Sequence, residues 1–405
     1  MSVGKPHLAR PFEQLAALLT PFTKGEMTNL FGPSFFVKSQ FGTSRNIEII
    51  YERWEERLSK VAYARAVILG VPYDNGCQTQ RGSAYGPSAL RHYIHAVGET
   101  GGINIHKRLE KAGVIDIGDV SIFSPSLSTD DLLNRTTVRR LRKAHYSSDM
   151  DRLFPPVSPL SILERAILCI RKINPIVPIH LLGGDHSISA VPIRLLAAES
   201  PKDPKLAVVQ IDAHDDMEKS SDGILHYNSW AYDAAERLGG KNRFFQIGLR
   251  TVPFSAENAD LLGLQLYPVR RLRKEKEGTI LDELVQRILS SGAEQVYVTN
   301  DIDGTDPRWC AATGTPETEG LTPHFISALL QRLGEEKDLN VIGSDLMEVA
   351  PNLNRHVPQE PFRTLQTASH YLVRQIEASL KTSLGLDSFF PIPTPAKKLP
   401  PLEHT

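Results

Sequence analysis

From residue 67 to residue 349 the chain carries eight short apolar runs with amphipathic segments between them: VILGVPYD (67–74), VIDIGDV (114–120), IVPIHLLGG (176–184), LAVVQID (206–212), RFFQIGL (243–249), LQLYPV (264–269), QVYVTNDID (295–303) and VIGSDLMEV (341–349). Most are continuous rather than alternating, as parallel strands covered on both faces require. Segments such as SILERAILCIRKI (161–173), TILDELVQRILSSG (279–292) and HFISALLQRLGEE (324–336) place apolar residues three and four apart, which suits helices lying on a sheet. The pattern predicts an α/β fold in one domain over residues 62–385, closed either as an open sheet or as an eight-stranded barrel.

The 405 residues include 46 basic and 47 acidic side chains, a net charge of −1. That balance offers no long-range field to nucleic acid or to an anionic membrane, so neither is an expected partner. Cys77, Cys169 and Cys310 are far apart and in no paired spacing, which fits a reducing, cytoplasmic setting better than a disulfide framework. The N-terminus MSVGKPHLARPFEQLAALLTPF lacks a continuous apolar region followed by a small-residue cleavage site, and no run reaches membrane-spanning length.

Three segments leave the pattern. Residues 1–61 hold helical stretches at FEQLAALL and IEIIYERWEERLSK around LFGPSFFVKSQFG, and are expected to form a cap or an oligomer contact. Residues 121–159 are polar, Pro-rich at their end and long for a connection, with Arg139, Arg140, Arg142 and Lys143 reading as a solvated helix face. The last residues, 386–405, are too rich in proline to continue a helix and read as an extended arm or a disordered tail.

Three apolar runs end in chemistry. LAVVQI ends in Asp212, Ala213, His214, Asp215 and Asp216, at the carboxyl end of a strand, where open α/β sheets bind ligands. VYVT ends in Asn300, Asp301, Ile302 and Asp303, and the period of two puts Asp301 and Asp303 on one side. PIHLL ends in Gly183, Gly184, Asp185, His186 and Ser187, where the glycines permit a tight turn from which His186 projects. Taken singly, the first is an acidic loop or a helix cap and the last a cap through Asp185 or Ser187. Together they crowd carboxylates that oppose one another's ionisation unless a cation is present. His186, Asp212, His214, Asp216, Asp301 and Asp303 are more ligands than one catalytic ion takes, but suit two ions sharing bridging carboxylates. Oxygen and imidazole donors without thiolate point to Mn(II), with Ni(II), Co(II) and Fe(II) also compatible.

With these motifs, and with GTP (314–316), DLMEV (345–349), VPYDNG, YGPSALR and DIGDV, the chain resembles the ureohydrolases, a family that includes arginase, agmatinase, guanidinobutyrase and guanidine hydrolase. The resemblance implies a three-layer α/β/α sandwich with a parallel eight-stranded sheet, favouring the open sheet over the barrel, and homo-oligomers, trimers or hexamers. It implies that His186, Asp212, Asp216 and Asp301 hold one ion and Asp212, His214, Asp301 and Asp303 the other. Such a pair of cations yields hydroxide at neutral pH to attack a guanidinium carbon, and a general acid must then protonate the departing amine. By resemblance His226 is the proton shuttle and Glu348 binds the guanidinium, while Asp303 relays the hydroxide proton; otherwise His226 is an exposed loop residue and Glu348 a salt-bridge partner.

Departures from the family bear on substrate. Where many relatives read Arg-Pro-Gly-Ala-Arg-Phe-Gly-Pro, this chain has Gln80, Arg81, Gly82, Ser83, Ala84, Tyr85, Gly86 and Pro87, so both usual arginines have changed. The loop MEKSSDGILHYN lacks the Thr- and Asn-rich composition with which arginases receive an amino-acid tail. Asn300 replaces a usually apolar residue, and Ala311-Ala312 a frequent Pro-Gly. The leading expectation is a guanidine hydrolase making urea and ammonia, with nickel fitting that branch. Agmatinase or guanidinobutyrase is the alternative, and a non-catalytic metal-retaining subunit of a hetero-oligomer the lower one. Accessory proteins for metal loading stay open as partners.

Overall fold

The computed structural model describes residues 6–21, 46–78, 80–123, 127–220, 222–250 and 256–402. The stretch LFGPSFFVKSQFG lies outside them. All eight apolar runs contain a strand: β2 Ala66–Gly70, β3 Val114–Val120, β4 Ile179–Leu182, β5 Leu206–Ile211, β6 Phe244–Ile247, β7 Leu264–Tyr267, β8 Gln295–Asp301 and β9 Asn340–Met347. They are mutually parallel and, with β1 at Leu19–Thr20, form an open sheet of order β1-β3-β2-β4-β9-β8-β5-β6-β7. The expected eight-stranded sheet is corrected to nine by β1, Leu19–Thr20, which pairs antiparallel with β3 at the edge. Two residues carry no periodicity, so no pattern could announce this strand. The observed strands are shorter than the apolar runs where proline intervenes: Pro72 follows β2 and Pro178 precedes β4, and a proline has no N–H for the ladder.

Alternation along the strands builds two cores. Val67 and Leu69 join one face, with helices Pro159–Ile173, Ala190–Ala198 and Trp230–Leu238; Ala66 and Ile68 join the other, with helices Gly86–Thr100, Glu277–Ser290, Pro323–Glu335 and Phe362–Leu380. This is the three-layer sandwich. The helices Pro6–Leu18 and Ile47–Ser59 add Leu15, Leu18, Ile50, Trp54 and Leu58 to the first core. Trp54 is fully buried and its indole N–H donates to the Ile117 carbonyl at 2.9 Å, fixing the second of these helices on β3. Burying an indole with its one donor satisfied is what lets a tryptophan act as such an anchor.

The segment 121–159 forms the helix Arg135–His145, without buried residues; Arg139, Arg140 and Lys143 are exposed, as expected, while Arg142 donates through Nε to the Pro155 carbonyl. Residues 391–402 form neither helix nor strand and follow a buried Phe390, whose carbonyl meets His370 Nδ1 at 2.8 Å, while the Pro391 and Pro393 carbonyls accept from Gln366 and Trp309. Among the described residues no helix is long and apolar enough to cross a membrane.

His180 on β4 lies fully buried between Ser344 Oγ at 2.7 Å and Ser379 Oγ at 3.0 Å. Burial pushes its imidazole down to about 3, against an ordinary value near 6.5. As the pH falls below that ordinary value the unfolded chain takes up a proton that the folded chain refuses. The stabilisation is therefore complete above roughly pH 6.5 and is lost on acidification. From pH 8 to pH 5 the loss is on the order of 2 kcal/mol. Urea midpoints measured at both pH values should fall less steeply in His180→Gln than in the parent chain, and identical slopes would contradict this assignment.

Candidate metal centre

Strands β4, β9, β8 and β5 are neighbours in the sheet, and the chain leaving each carboxyl end delivers an acid or an imidazole to one place. After β4, Gly184 passes so near the Tyr73 carbonyl that a Cβ would overlap it. Asp185 then accepts from the N–H of Ser187 at 3.0 Å and of Gly76 at 2.7 Å, capping the turn that presents His186. After β5, Asp212 Oδ1 accepts from His214 N at 2.7 Å, and after β8, Asp301 Oδ1 accepts from Asp303 N at 2.9 Å. In both turns an aspartate bonds to the backbone two residues on. Asp303 Oδ1 accepts from Ala213 N at 3.1 Å, stitching the two turns together. After β9, Glu348 adopts a left-handed backbone, φ 61°; its N–H donates to the Gly184 carbonyl at 2.9 Å and its Oε1 accepts from His186 N at 3.1 Å.

The remaining oxygens converge. His186 Nδ1 lies 3.1 Å from Asp212 Oδ2, 3.1 Å from Asp216 Oδ2 and 3.0 Å from Asp301 Oδ2. His214 Nδ1 lies 3.1 Å from Asp303 Oδ2 and 3.7 Å from Asp212 Oδ1. The ligand atoms of His186, Asp212 and Asp216 form one group within 4.8 Å of one another, those of Asp212, His214 and Asp303 a second, and Asp212 is common to both. His214 has 36% of its side chain exposed, whereas the other five are at most 5% exposed.

The side chains alone are in electrostatic conflict. Burial and then the Asp212 carboxylate raise Asp216 to about 7. Burial, then Asp303 and Asp212, push Asp301 well up; burial, then Asp301 and Asp185, do the same to Glu348. Asp212 is held low in spite of its burial by the His186 and His214 imidazoles. His186 Nδ1 is buried and, although it faces three carboxylate oxygens, forms no hydrogen bond of acceptable geometry with any. One ring nitrogen carries at most one proton, so three oxygens at equal range are the surroundings of a shared cation rather than of a hydrogen bond. The residues present therefore fit a pair of divalent ions, and the donor set excludes a thiolate-selecting site.

Several positioning residues escaped the sequence reading. Thr299 Oγ1 meets His186 Nε2 at 2.8 Å, Trp230 Nε1 donates to Asp216 Oδ2 at 2.7 Å, and Thr315 Oγ1 donates to Asp303 Oδ2 at 3.0 Å. Gln210 Nε2 donates to Asp212 Oδ2 at 2.8 Å and is itself held through Oε1 by Gln246. Polar residues inside otherwise apolar strands, Gln210, Gln246 and Thr299, were a usable signal; Trp230 and Thr315 carried none. His226 is not brought into contact with the six by any hydrogen bond among the described residues. Its Nε2 meets Asp222 Oδ2 at 3.2 Å, and the next residue, Tyr227, donates its N–H to the Gly76 carbonyl, so this loop leans on the one that Asp185 holds.

The arginase-family model matches residues 64–373. Guanidinobutyrase of Pseudomonas aeruginosa is 28% identical over 291 residues, 71% of this chain and 79% of its own length. Mitochondrial agmatinase of Gallus gallus is 29% identical over 291 residues, 71% of this chain and 74% of that one. The solved proclavaminate amidino hydrolase from Streptomyces clavuligerus superposes with a TM-score of 0.57 at 23% identity, over 78% of this chain and 92% of that one, a likeness of fold.

Because Asp212 belongs to both ligand groups, Asp212→Asn should abolish stabilisation by Mn(II), while Asp216→Asn should retain part of it. Thermal unfolding of chelator-stripped protein with and without Mn(II) measures this; at a hundredfold excess over Kd each ion is worth about 2.7 kcal/mol. A full Mn(II)-induced rise in Asp212→Asn would place the ions elsewhere.

Proposed function

The chain belongs to the arginase family, and on that footing we propose that it hydrolyses free guanidine, converting guanidinium and water into urea and ammonia. It is a hydrolase of guanidino C–N bonds, the class to which the similar agmatinases and guanidinobutyrase belong. The observation that supports a small substrate is how closely residues 74–78 and 80–82 pack against the segments that follow β4, β8 and β9. A Cβ on Gly76 would lie 2.6 Å from Ser187 Oγ, one on Gly82 would overlap Asn352 Oδ1, and one on Gly314 would come within 3.2 Å of the Gln80 carbonyl. With only His214 partly exposed among the six ligand candidates, the centre supports a compact planar cation better than a long chain.

Two Ni(II) or Mn(II) ions held by His186, Asp212, His214, Asp216, Asp301 and Asp303 would supply Lewis acidity and a hydroxide nucleophile near neutral pH. Glu348 orients the guanidinium: its Oε1 is partly engaged by His186 N, which leaves Oε2 to take a charge-assisted pair of N–H groups. Asp303, whose Oδ1 accepts from Ala213 N and whose Oδ2 accepts from Thr315 Oγ1, would take up the proton that the nucleophile gives up. His226, beside Asp222, would carry a proton to the departing ammonia as general acid. The same reading takes a homo-oligomer, trimer or hexamer, working in the cytoplasm.

A second reading rests on Arg81. Its Nη1 donates to Asn75 Oδ1 at 2.9 Å, a guanidinium that a carboxylate tail such as that of 4-guanidinobutyrate could meet.

Ammonia and urea release should be measured with guanidine, agmatine, 4-guanidinobutyrate and arginine, on protein loaded separately with Ni(II) and Mn(II). We expect guanidine to be turned over preferentially. Preference for 4-guanidinobutyrate, lost in Arg81→Gln, would replace this reading with the second. Glu348→Gln should lower kcat/KM by about a hundredfold or more, and His226→Asn should lower kcat by about 10²–10⁴.

A further inference from the structure

Arg250 follows β6 and is none of the six ligand candidates, yet it is bonded to the ends of three strands. Its N–H donates to the Ala213 carbonyl at 3.0 Å, between Asp212 and His214. Its Nη1 donates to the Gly248 and Gly304 carbonyls at 2.8 and 2.9 Å, and its Nη2 to the Asp303 and Glu317 carbonyls at 2.9 and 3.0 Å. Weaker bonds reach the Thr305 and Thr318 carbonyls at 3.4 Å. Among the described residues every polar partner of this guanidinium is a main-chain carbonyl. Gly320 leaves the space it occupies, since a Cβ there would overlap Nη2.

A guanidinium is a rigid planar fork of five donors, and spending them all on carbonyls fixes the backbone that supplies those carbonyls. Here three of the six come from the turn Asp303–Thr305. The circuit closes through Ala213, whose carbonyl accepts from Arg250 N and whose N–H donates to Asp303 Oδ1. Arg250 therefore grips Asp303 from behind and His214 through its neighbour. The other half of the centre is held by different groups: Thr299 and Glu348 on His186, and Trp230 on Asp216. None of these is bonded to Arg250.

Resting on the two-ion reading above, we propose that Arg250 is a positioning residue for one ion only, the ion of His214 and Asp303, and that its loss separates the two metal affinities. A merely structural role would weaken both ions together or neither.

The test is titration of the chelator-stripped full chain with Mn(II) alone, free Mn(II) being counted by electron paramagnetic resonance. The parent chain is expected to take up two ions per subunit. Arg250→Gln should hold one with unchanged affinity and the other 10- to 100-fold more weakly, the usual effect of losing an outer-shell partner. Arg250→Lys, which keeps the charge but not the fork, should fall between, and carries the test if the glutamine variant does not fold. In a His214→Asn background, where the other ion alone remains, adding Arg250→Lys should change its affinity less than twofold. Equal weakening of both ions, no weakening of either, or an effect that persists in the His214→Asn background would overturn the proposal. A parent chain that binds fewer than two ions would instead sink the two-ion reading on which it rests.

Discussion

Five buried carboxylates, Asp212, Asp216, Asp301, Asp303 and Glu348, meet at the end of one sheet, and their mutual repulsion is the constraint around which the rest is built. Two unit charges 4 Å apart interact by about 4 kcal/mol at an effective dielectric of 20, so such a cluster needs both a compensating cation and a frame that forbids relaxation. The frame follows a rule. In Asp212, Asp301 and Asp303, Oδ1 is taken by a backbone N–H while Oδ2 faces an imidazole nitrogen of the centre. The main chain fixes one oxygen and thereby aims the other. Glu348 follows the same rule through the His186 N–H on its Oε1, whereas Asp216 is held by the Trp230 indole at Oδ2; both sit on left-handed backbone, Asp216 at φ 52° and Glu348 at φ 61°. That conformation is costly for residues with a Cβ and persists only where the surroundings over-determine it.

The sheet order explains why these groups meet at all. β8 and β9 are inserted between β4 and β5, so chain segments far apart in sequence end side by side. A crevice at such a point, outside the carboxyl ends of parallel strands, is where open α/β sheets place their ligands. Helices on both faces keep the strands dry, and the acids lie at or just beyond the last ladder pairs, Asp301 being paired with Met347.

Much of this was legible from residue order. Continuous apolar runs announced the eight parallel strands because burial on both faces leaves no room for alternation, and the acid-bearing turns stood out because charge follows directly on such runs. β1 was not legible, since its two residues acquire a partner only when the N-terminal helices pack on the sheet edge. The C-terminal arm reads as extended from its prolines, but that it would be ordered against the last helix depended on acceptors such as the Phe390 carbonyl finding His370. Within the centre, the ligand candidates declared themselves through spacing, whereas Trp230 and Thr315 reach acids 14 and 12 residues away and Arg250 a carbonyl 53 residues away, with no local signature. His226 illustrates the opposite gap. Its motif context was clear, yet its hydrogen-bond partner is Asp222 in its own loop, a pairing that spacing alone did not suggest.

The insertion of the last two strands also orders events in time. A chain emerging from its N-terminus completes β4 and β5 long before it reaches Asp301, Asp303 and Glu348, so the acids of the finished centre cannot confront one another during early synthesis. Until β8 and β9 slot in, β4 and β5 lack the neighbours that separate them, and non-local parallel pairing of this kind forms slowly. The complete cluster therefore requires β8 and β9 to have paired with their neighbours. A complete ligand set for metal would then exist only after β8 has paired with β5, because β8 delivers Asp301 and Asp303.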